Sequence, residues 1–394
     1  MSQHVPGFVA SGIACGIKES GAPDLALVAT ADGRPVPAAA VFTSNLAPAA
    51  PVQVSRAHLE ATGGYASAVV INSGNANAAT GVKGREQAER TCARVAEGLG
   101  CRPEEVLVCS TGLIGIPLPF AALESGISPL LVARHASGYP HAALAMMTTD
   151  LGPKDVLHMG DGFVVSGIAK GAAMLAPNMA TMLALLTTDA AASPVELHEA
   201  LLAAVGRSFN ELSVDGATST NDTVIALAGG GAGPSAGLPG AMAEVCAELA
   251  TLMADGAEGA TKRVRIRVTG AAAHDDARRA ARKVAESQLV QCSLYGSDPY
   301  WGRIVSELGS SGAAFDPDRV SISYGPVEVC RGGVACAHDA VALRAAIGAR
   351  EVDITADLGL GDATAVMTFT DLTPDYIAEN MRTCLLYTSP SPRD

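Results

Sequence analysis

Aromatic side chains are scarce in this chain. Phe, Trp and Tyr supply 4% of its 394 residues, with a single Trp, so the interior must be built from Ala, Val, Leu and Ile. Basic residues are outnumbered: 27 Lys and Arg face 40 Asp and Glu, for a net charge of −13. A surface of that sign repels nucleic acid and anionic membranes and argues against both as partners. A local cationic pocket for a small substrate is still compatible with it. No run of 18 or more apolar residues occurs, so no transmembrane helix is expected. The opening Met1–Lys18 has no basic stretch leading into a long apolar one and is not Arg-rich, so neither a secretory signal nor a transit peptide is expected there. The nine cysteines include no CxxC pair; dispersed and odd in number, they fit reduced cytoplasmic thiols better than a disulfide framework. The eight histidines form no HExxH or other tight ligand spacing, and no metal is expected.

Hydrophobic residues make up 48% of the chain and charged residues 17%, a balance that builds a sizeable core with room for two domains. Ala68–Ile71 and Val106–Cys109 read as short buried strands, stopped at Asn72-Ser73-Gly74 and Ser110-Thr111-Gly112. Arg85–Leu99 has helical character and ends beside Gly100. Met182–Leu186 is strand-like, and Ser193-Pro194-Val195-Glu196 marks a helix start: a capping hydroxyl, a proline at the first helical position and a glutamate three residues after the cap. Val264–Val268 alternates like a strand with one wet face. Val352–Leu358 and Ala365–Thr370 flank a Gly-rich link and read as a hairpin or close strand pair. Gly229–Gly240, rich in Gly, Ala and Pro, reads as a surface loop or subdomain joint; without a GK[ST] ending it is no phosphate loop. No fixed-period repeat is present. The mixture predicts an α/β fold, a layered body with mixed sheets plus a smaller C-terminal subdomain.

The stretch Lys170–Ala190, KGAAMLAPNMATMLALLTTDA, is where chemistry concentrates. In structural terms alone it is a loop, broken by Pro177 and Asn178, entering a buried strand. In chemical terms, a threonine hydroxyl is a weak nucleophile that needs an adjacent base. A threonine at a new chain terminus would carry that base in its own α-amine, whose reference pKa of about 7.7–8.0 suits general-base work. The stretch closely resembles the self-cleavage segment of the ornithine acetyltransferase (bifunctional glutamate N-acetyltransferase) family, close to KGxGMxAPNMATMLxxxTTDA, with Ala173 in place of the usual Gly. The resemblance runs along nearly the whole chain. It takes in Asn72–Gly81 (NSGNANAATG), Ser110–Gly115 (STGLIG), Thr148-Thr149-Asp150, and Thr218–Thr223 (TSTNDT), with Ala217 replacing an Asp. It continues through Glu258–Lys262 (EGATK) and Trp301-Gly302-Arg303, with Tyr300 replacing an Asn.

What the resemblance implies can be set out residue by residue. The chain would cut itself between Ala180 and Thr181, giving an alpha chain (1–180) and a beta chain (181–383) that carries the nucleophile Thr181. Thr111 and Gly112 would form the oxyanion hole. Lys170 would hold a substrate carboxylate, Thr148 or Thr149 would bind substrate, Glu258 would receive its ammonium group, and Asn380 would be a further substrate contact. The reaction would move acetyl from N-acetylornithine to glutamate in arginine biosynthesis, with no cofactor; acetyl-CoA stays open as a second donor. The two chains would assemble as a cytoplasmic heterotetramer of two alpha and two beta chains. An N-terminal-nucleophile amidase or aminopeptidase, in which water replaces glutamate, is the alternative. A non-catalytic assembly subunit fits poorly with an intact Ala180-Thr181 and Thr111-Gly112. The family places a Ser or Thr five residues after the asparagine, where Leu385 stands here, and residues 384–394 read as a foreign tail.

Overall fold

The computed structural model describes residues 5–174 and 182–381. It divides into two compact units, Met1–Asn210 with Ala217–Met253, and Glu211–Gly216 with Ala254–Asp394. The chain runs β1 (Phe8–Ile13), β2 (Leu25–Thr30), β3 (Val36–Phe42), α1 (Ala50–Thr62), β4 (Tyr65–Ala66), β5 (Ala68–Asn75), α2 (Gly81–Leu99) and β6 (Val106–Leu113). It continues through α3 (Phe120–Val132), α4 (Tyr139–Met146), β7 (Lys154–Met159), β8 (Val164–Lys170), β9 (Leu183–Ala191) and α5 (Pro194–Gly206). After β10 (Leu212–Ser213), part of the second unit, β11 (Thr223–Pro234) and α6 (Leu238–Asp255) complete the first.

The first unit holds two sheets, ordered β1-β2-β5-β6 and β4-β3-β11-β9-β8-β7. Both mix directions: β5 and β6 are parallel while β2 and β5 are antiparallel, and β11 is parallel to β9 and antiparallel to β3. The period of two along β2 shows how the layers are built. Ala26 and Val28 face a core shared with α4 and with Ile168, Leu185 and Ile225 of the second sheet. Leu25, Leu27 and Ala29 face the opposite core, lined by α1, α2 and α3. A Cβ on Gly167 of β8 would meet Val245 and Leu249, so α6 lies close on the far face of the second sheet. The layering is therefore helices, sheet, sheet, helices. Strands covered on both faces carry apolar residues at successive positions, which is why Leu25–Ala29 of β2 and Leu183–Leu186 of β9 read as continuous runs.

In the second unit, β12 (Arg263–Ala271) is followed by α7 (His274–Ala285), α8 (Gln288–Tyr295), α9 (Trp301–Gly309), β13 (Ser321–Tyr324), β14 (Val327–Arg331) and β15 (Val334–Ala335). Then come α10 (Ala340–Gly348), β16 (Glu351–Asp357), β17 (Ala363–Thr370) and α11 (Pro374–Met381). Its sheet is ordered β10-β17-β12-β16-β13-β14-β15. The inward residues of β12, Val264, Ile266 and Val268, join a core with α7 and with Ile354 and Met367. The outward arginines pair with acids directly opposite on β16: Arg263 with Glu351 (2.7 Å) and Arg265 with Asp353 (2.7 Å). Exposed pairs of this kind contribute only about 0.2–1 kcal/mol each.

The helix-start reading at Ser193 holds in full. Ser193 Oγ accepts the Glu196 N–H and Glu196 Oε2 accepts the Ser193 N–H. Helix α2 ends as expected at Gly100, whose φ of 74° is the left-handed conformation that closes a helix. Three expectations are corrected. Strands β5 and β6 run on through Asn75 and Leu113, past the residues read as stops. The second half of Gly229–Gly240 is helical from Leu238, and its first half is the exposed end of β11, which resumes pairing with β9 at Gly233 after a bulge. Finally, β16 and β17 do not pair with each other, because β12 lies between them, parallel to one and antiparallel to the other.

Candidate active site

Thr111 and Gly112 lie inside β6, beside Ser73 and Gly74 of β5. The pairing shifts register between Gly74 and Asn75, a bulge at the strand end. Gly112 has a φ of 130°, and a Cβ there would come within 2.3 Å of the Gly74 carbonyl carbon. Only glycine permits two backbones to approach so closely at that angle. Gly112 is exposed and Thr111 is buried. The side chains of Asn72–Asn77 act as scaffold. Ser110 Oγ donates to Asn72 Oδ1 (2.5 Å), Asn75 Nδ2 donates to the Ile116 and Pro117 carbonyls (3.2 Å each), and Ser73 Oγ donates to the Ala145 carbonyl (2.6 Å).

Lys170 ends β8. It is buried, and its Nζ donates to Thr111 Oγ1 at 3.2 Å. The two are 59 residues apart, and the fold brings them together. An ammonium donating to the hydroxyl oxygen leaves the hydroxyl proton to point elsewhere, which makes Thr111 a polarised donor. Lys170 is also in register with Leu183 of β9, so the cation stands across the sheet from the start of that strand. Behind it sits Asp150, which accepts Lys154 Nζ (2.5 Å), the Gly171 N–H (2.8 Å) and the Thr148 N–H (3.0 Å). Burial alone would raise the Asp150 carboxyl. The Lys170 and Lys154 charges and the hydrogen bonds override it and hold the group down at about 2. The backbone of Thr148 is thus pinned to Asp150, while Thr149 is exposed.

Ala180 and Thr181 lie outside the described residues, as does the 384–394 tail. The residue bonded to Thr181 is described. Met182 is buried, its N–H donates to Asp222 Oδ1 (2.8 Å), and its carbonyl accepts the Thr223 N–H (3.1 Å). Burial raises the Asp222 carboxyl well above its ordinary value, against the opposing pull of the Met182 N–H and Lys170. Asp150 and Asp222 were legible only as letters of matched motifs. A charged residue amid apolar or neutral neighbours was the available signal.

In the second unit Glu258 and Asn380 come together: Asn380 Nδ2 donates to Glu258 Oε2 at 2.9 Å. Gly259, at φ 63°, makes this possible, since a Cβ there would lie 2.4 Å from the Tyr376 nitrogen of α11. Thr261 and Lys262 backbone amides bind Asp371 (2.9 Å each), and Tyr376 Oη donates to Asp215 (3.0 Å). The structure therefore joins Thr111 with Lys170 in one unit and Glu258 with Asn380 in the other.

The cysteines offer no competing nucleophile where burial has shifted them: Cys109 and Cys246 are pushed up to about 12. Among the described residues no cluster of three His, Cys, Asp or Glu could hold a metal, and no helix is long and apolar enough to cross a membrane.

Residues 9–383 match the sequence profile described as the ArgJ family. The chain is 45% identical over 378 residues to the arginine biosynthesis bifunctional protein ArgJ of Streptomyces avermitilis, covering 95% of this chain and 97% of that one. It is 46% identical over 392 residues to the protein of that name from Mycobacterium tuberculosis, covering 95% and 94%. Among solved structures, one of M. tuberculosis ornithine acetyltransferase complexed with ornithine is 43% identical over 46% of this chain and 96% of that chain, with a TM-score of 0.42. By this match along nearly its whole length, the chain belongs to the ArgJ family.

Proposed function

We propose that this chain is an acetyltransferase of arginine biosynthesis that moves acetyl from N-acetylornithine to glutamate through an ester on Thr181. The observation that carries the reading is the contact of Lys170 with Thr111, opposite the first residue of the strand that Thr181 leads into. In this reading the Thr181 hydroxyl first attacks the Ala180 carbonyl. The C–N bond between Ala180 and Thr181 breaks as an ester forms on the hydroxyl, which frees the α-amine, and water then hydrolyses the ester to free the hydroxyl and leave Ala180 as a carboxylate. The amine then takes the hydroxyl proton as the oxygen attacks the acetyl carbonyl of N-acetylornithine. Negative charge develops on the carbonyl oxygen, where the Thr111 hydroxyl and the Gly112 N–H would donate to it. The C–N bond to ornithine breaks, and the leaving nitrogen takes the proton held by the amine. Glutamate's amine attacks the resulting ester, and Thr181 is released.

Lys170 orients Thr111 in this scheme and supplies the positive field that a substrate carboxylate needs; Thr148 or Thr149 lies on the segment pinned behind it. Glu258, held by Asn380, would receive the ornithine ammonium. No cofactor takes part, and the two chains, 1–180 and 181–383, pair as a cytoplasmic heterotetramer. The hydrolytic alternative differs only in the acceptor, and membership of a family of biosynthetic enzymes favours transfer.

The test is made on purified protein. A denaturing gel should show two chains that co-elute under native conditions, the second beginning Thr-Met-Leu. Initial rates with N-acetylornithine and glutamate should give parallel lines, and acetyl-CoA in place of N-acetylornithine shows whether it is a second donor. A single uncut chain, or release of acetate with no acetylglutamate, overturns the proposal.

A further inference from the structure

Two consecutive residues, Asn221 and Asp222, grip the site from both sides. Asn221 Nδ2 donates to the Ala76 carbonyl (2.6 Å) and to the Ser110 carbonyl (2.8 Å), the residue directly before Thr111. Asp222 Oδ1 accepts the N–H of Met182, the residue directly after Thr181. Thr223, next in line, donates its N–H to the Met182 carbonyl, so residue 182 is held at both of its peptide groups. Asn221 and Asp222 are buried, and Asp222 Oδ2 has no hydrogen-bond partner among the described residues.

The segment that carries them is itself fixed. Thr220 Oγ1 donates to Asn221 Oδ1 (2.6 Å), which sets the amide so that its nitrogen faces Ala76 and Ser110. Thr43 Oγ1 donates to the Ser219 carbonyl (2.7 Å), and its N–H donates to the Asp222 carbonyl (2.9 Å). Asn45 Nδ2 donates to the Thr218 carbonyl (3.0 Å), and the Ala49 N–H to that of Thr220 (2.8 Å). A rigid loop therefore presents one side chain to the strand of Thr111 and the other to the strand that follows Thr181.

We propose that Asn221 and Asp222 are a positioning clamp, which fixes the distance between the nucleophile's strand and the oxyanion strand and thereby sets the rate of both self-cleavage and acetyl transfer. This rests on the function proposed above. The physical basis is the steepness of reactivity with placement: a displacement of about 1 Å of a reacting group costs on the order of 10²-fold in rate. β6 and β9 belong to different sheets, so no ladder hydrogen bonds fix that distance. Asp222 acts in the clamp as an acceptor of one N–H, a task a neutral amide performs equally well. Its burial, which disfavours the charged form, agrees with that.

The experiment compares the wild-type full chain with Asp222→Asn, Asp222→Ala and Asn221→Ala. It measures the rate of conversion to two chains, then kcat and KM for N-acetylornithine per processed enzyme, with melting curves alongside. Asp222→Asn should stay within about threefold of wild type. The two alanine variants should lose roughly 10- to 100-fold in cleavage rate and in kcat, with KM unchanged, because substrate contacts are elsewhere. Should either alanine variant not fold, Asn221→Asp, which keeps the size but loses both donated bonds, replaces it and should show the same loss. Alanine variants that match the wild type would end the proposal. So would an Asp222→Asn loss equal to that of Asp222→Ala, which would make the carboxyl a proton-transfer group, or a rise in KM at constant kcat. A wild type that neither cuts itself nor transfers acetyl would instead remove the underlying function.

Discussion

Removing the Thr111 hydroxyl tests the site at its centre. Thr111 is buried, its oxygen accepts from Lys170 Nζ at 3.2 Å, and its strand is bulged beside Gly112. In Thr111→Ala the site loses a polarised donor to the oxyanion, and Lys170 loses an acceptor. Deleting one oxyanion donor of this kind costs about 10²–10³ in kcat, or roughly 2.7–4 kcal/mol. The ground-state carbonyl gains far less from the donor than the transition state does, so kcat should carry the loss and KM should change little. Self-cleavage passes through an oxyanion of the same geometry and should slow in parallel. Thr111→Ser keeps the hydroxyl and removes one buried methyl, which costs stability of about 1 kcal/mol but should leave kcat within about tenfold. Steady-state rates with N-acetylornithine and glutamate, and a time course of chain cleavage, read all of this. Full kcat in Thr111→Ala, or an equal loss in Thr111→Ser, refutes the assignment.

Two further outcomes follow from the electrostatics. Glu258→Gln keeps a partner for Asn380 and removes the charge, and a charge-assisted hydrogen bond contributes about 1.5–3 kcal/mol; KM for N-acetylornithine should rise roughly tenfold or more, and an unchanged KM places the ornithine ammonium elsewhere. Asp150 has its carboxyl held at about 2, below its unfolded value of roughly 3.9, so its stabilisation is complete above pH 4 and is lost as pH falls toward 2. That loss is on the order of 2 kcal/mol, and denaturant melts across this window should show it in the wild type but not in Asp150→Asn.

Local signals in the sequence carried much of the fold. The Ser193 capping box, the Gly100 stop of α2 and the alternation of β12 each depend on a few neighbouring residues, and each was met. The failures were non-local. Val352–Leu358 and Ala365–Thr370 have the same strand pattern whether they pair with each other or with a third strand, and β12, about 90 residues earlier in the chain, took the place between them. Sequence neighbours in a sheet are adjacent only about two-thirds of the time. The glycines of Gly229–Gly233 looked like a loop because β11 is exposed there and carries no alternation to read. At the site, Thr111 and Lys170 came from resemblance, and their contact could not have come from spacing, since 59 residues separate them.

The two buried acids near Lys170 show why letter patterns alone could not assign roles. Asp150 and Asp222 are both almost fully buried, and both stand in matched motifs. Burial pushes both carboxyls up, and what differs is the compensation. Asp150 has two lysine charges, the Lys154 ammonium in contact and two backbone N–H groups, and it is held ionised. Asp222 has the Met182 N–H, the pull of Lys170 and smaller contributions from the Thr43 side chain and the Ser219 backbone, which together do not offset its burial, and its charged form is disfavoured. A negative charge therefore belongs behind Lys170, where it balances the cation and keeps Lys154 paired, and not beside residue 182, next to the amine proposed to act as base. An ionised acid at Asp222 would favour the protonated form of that amine and take it out of use as a base at neutral pH. The Asp222 carboxyl, whose charged form burial disfavours, accepts the Met182 N–H and so holds the start of the strand in place.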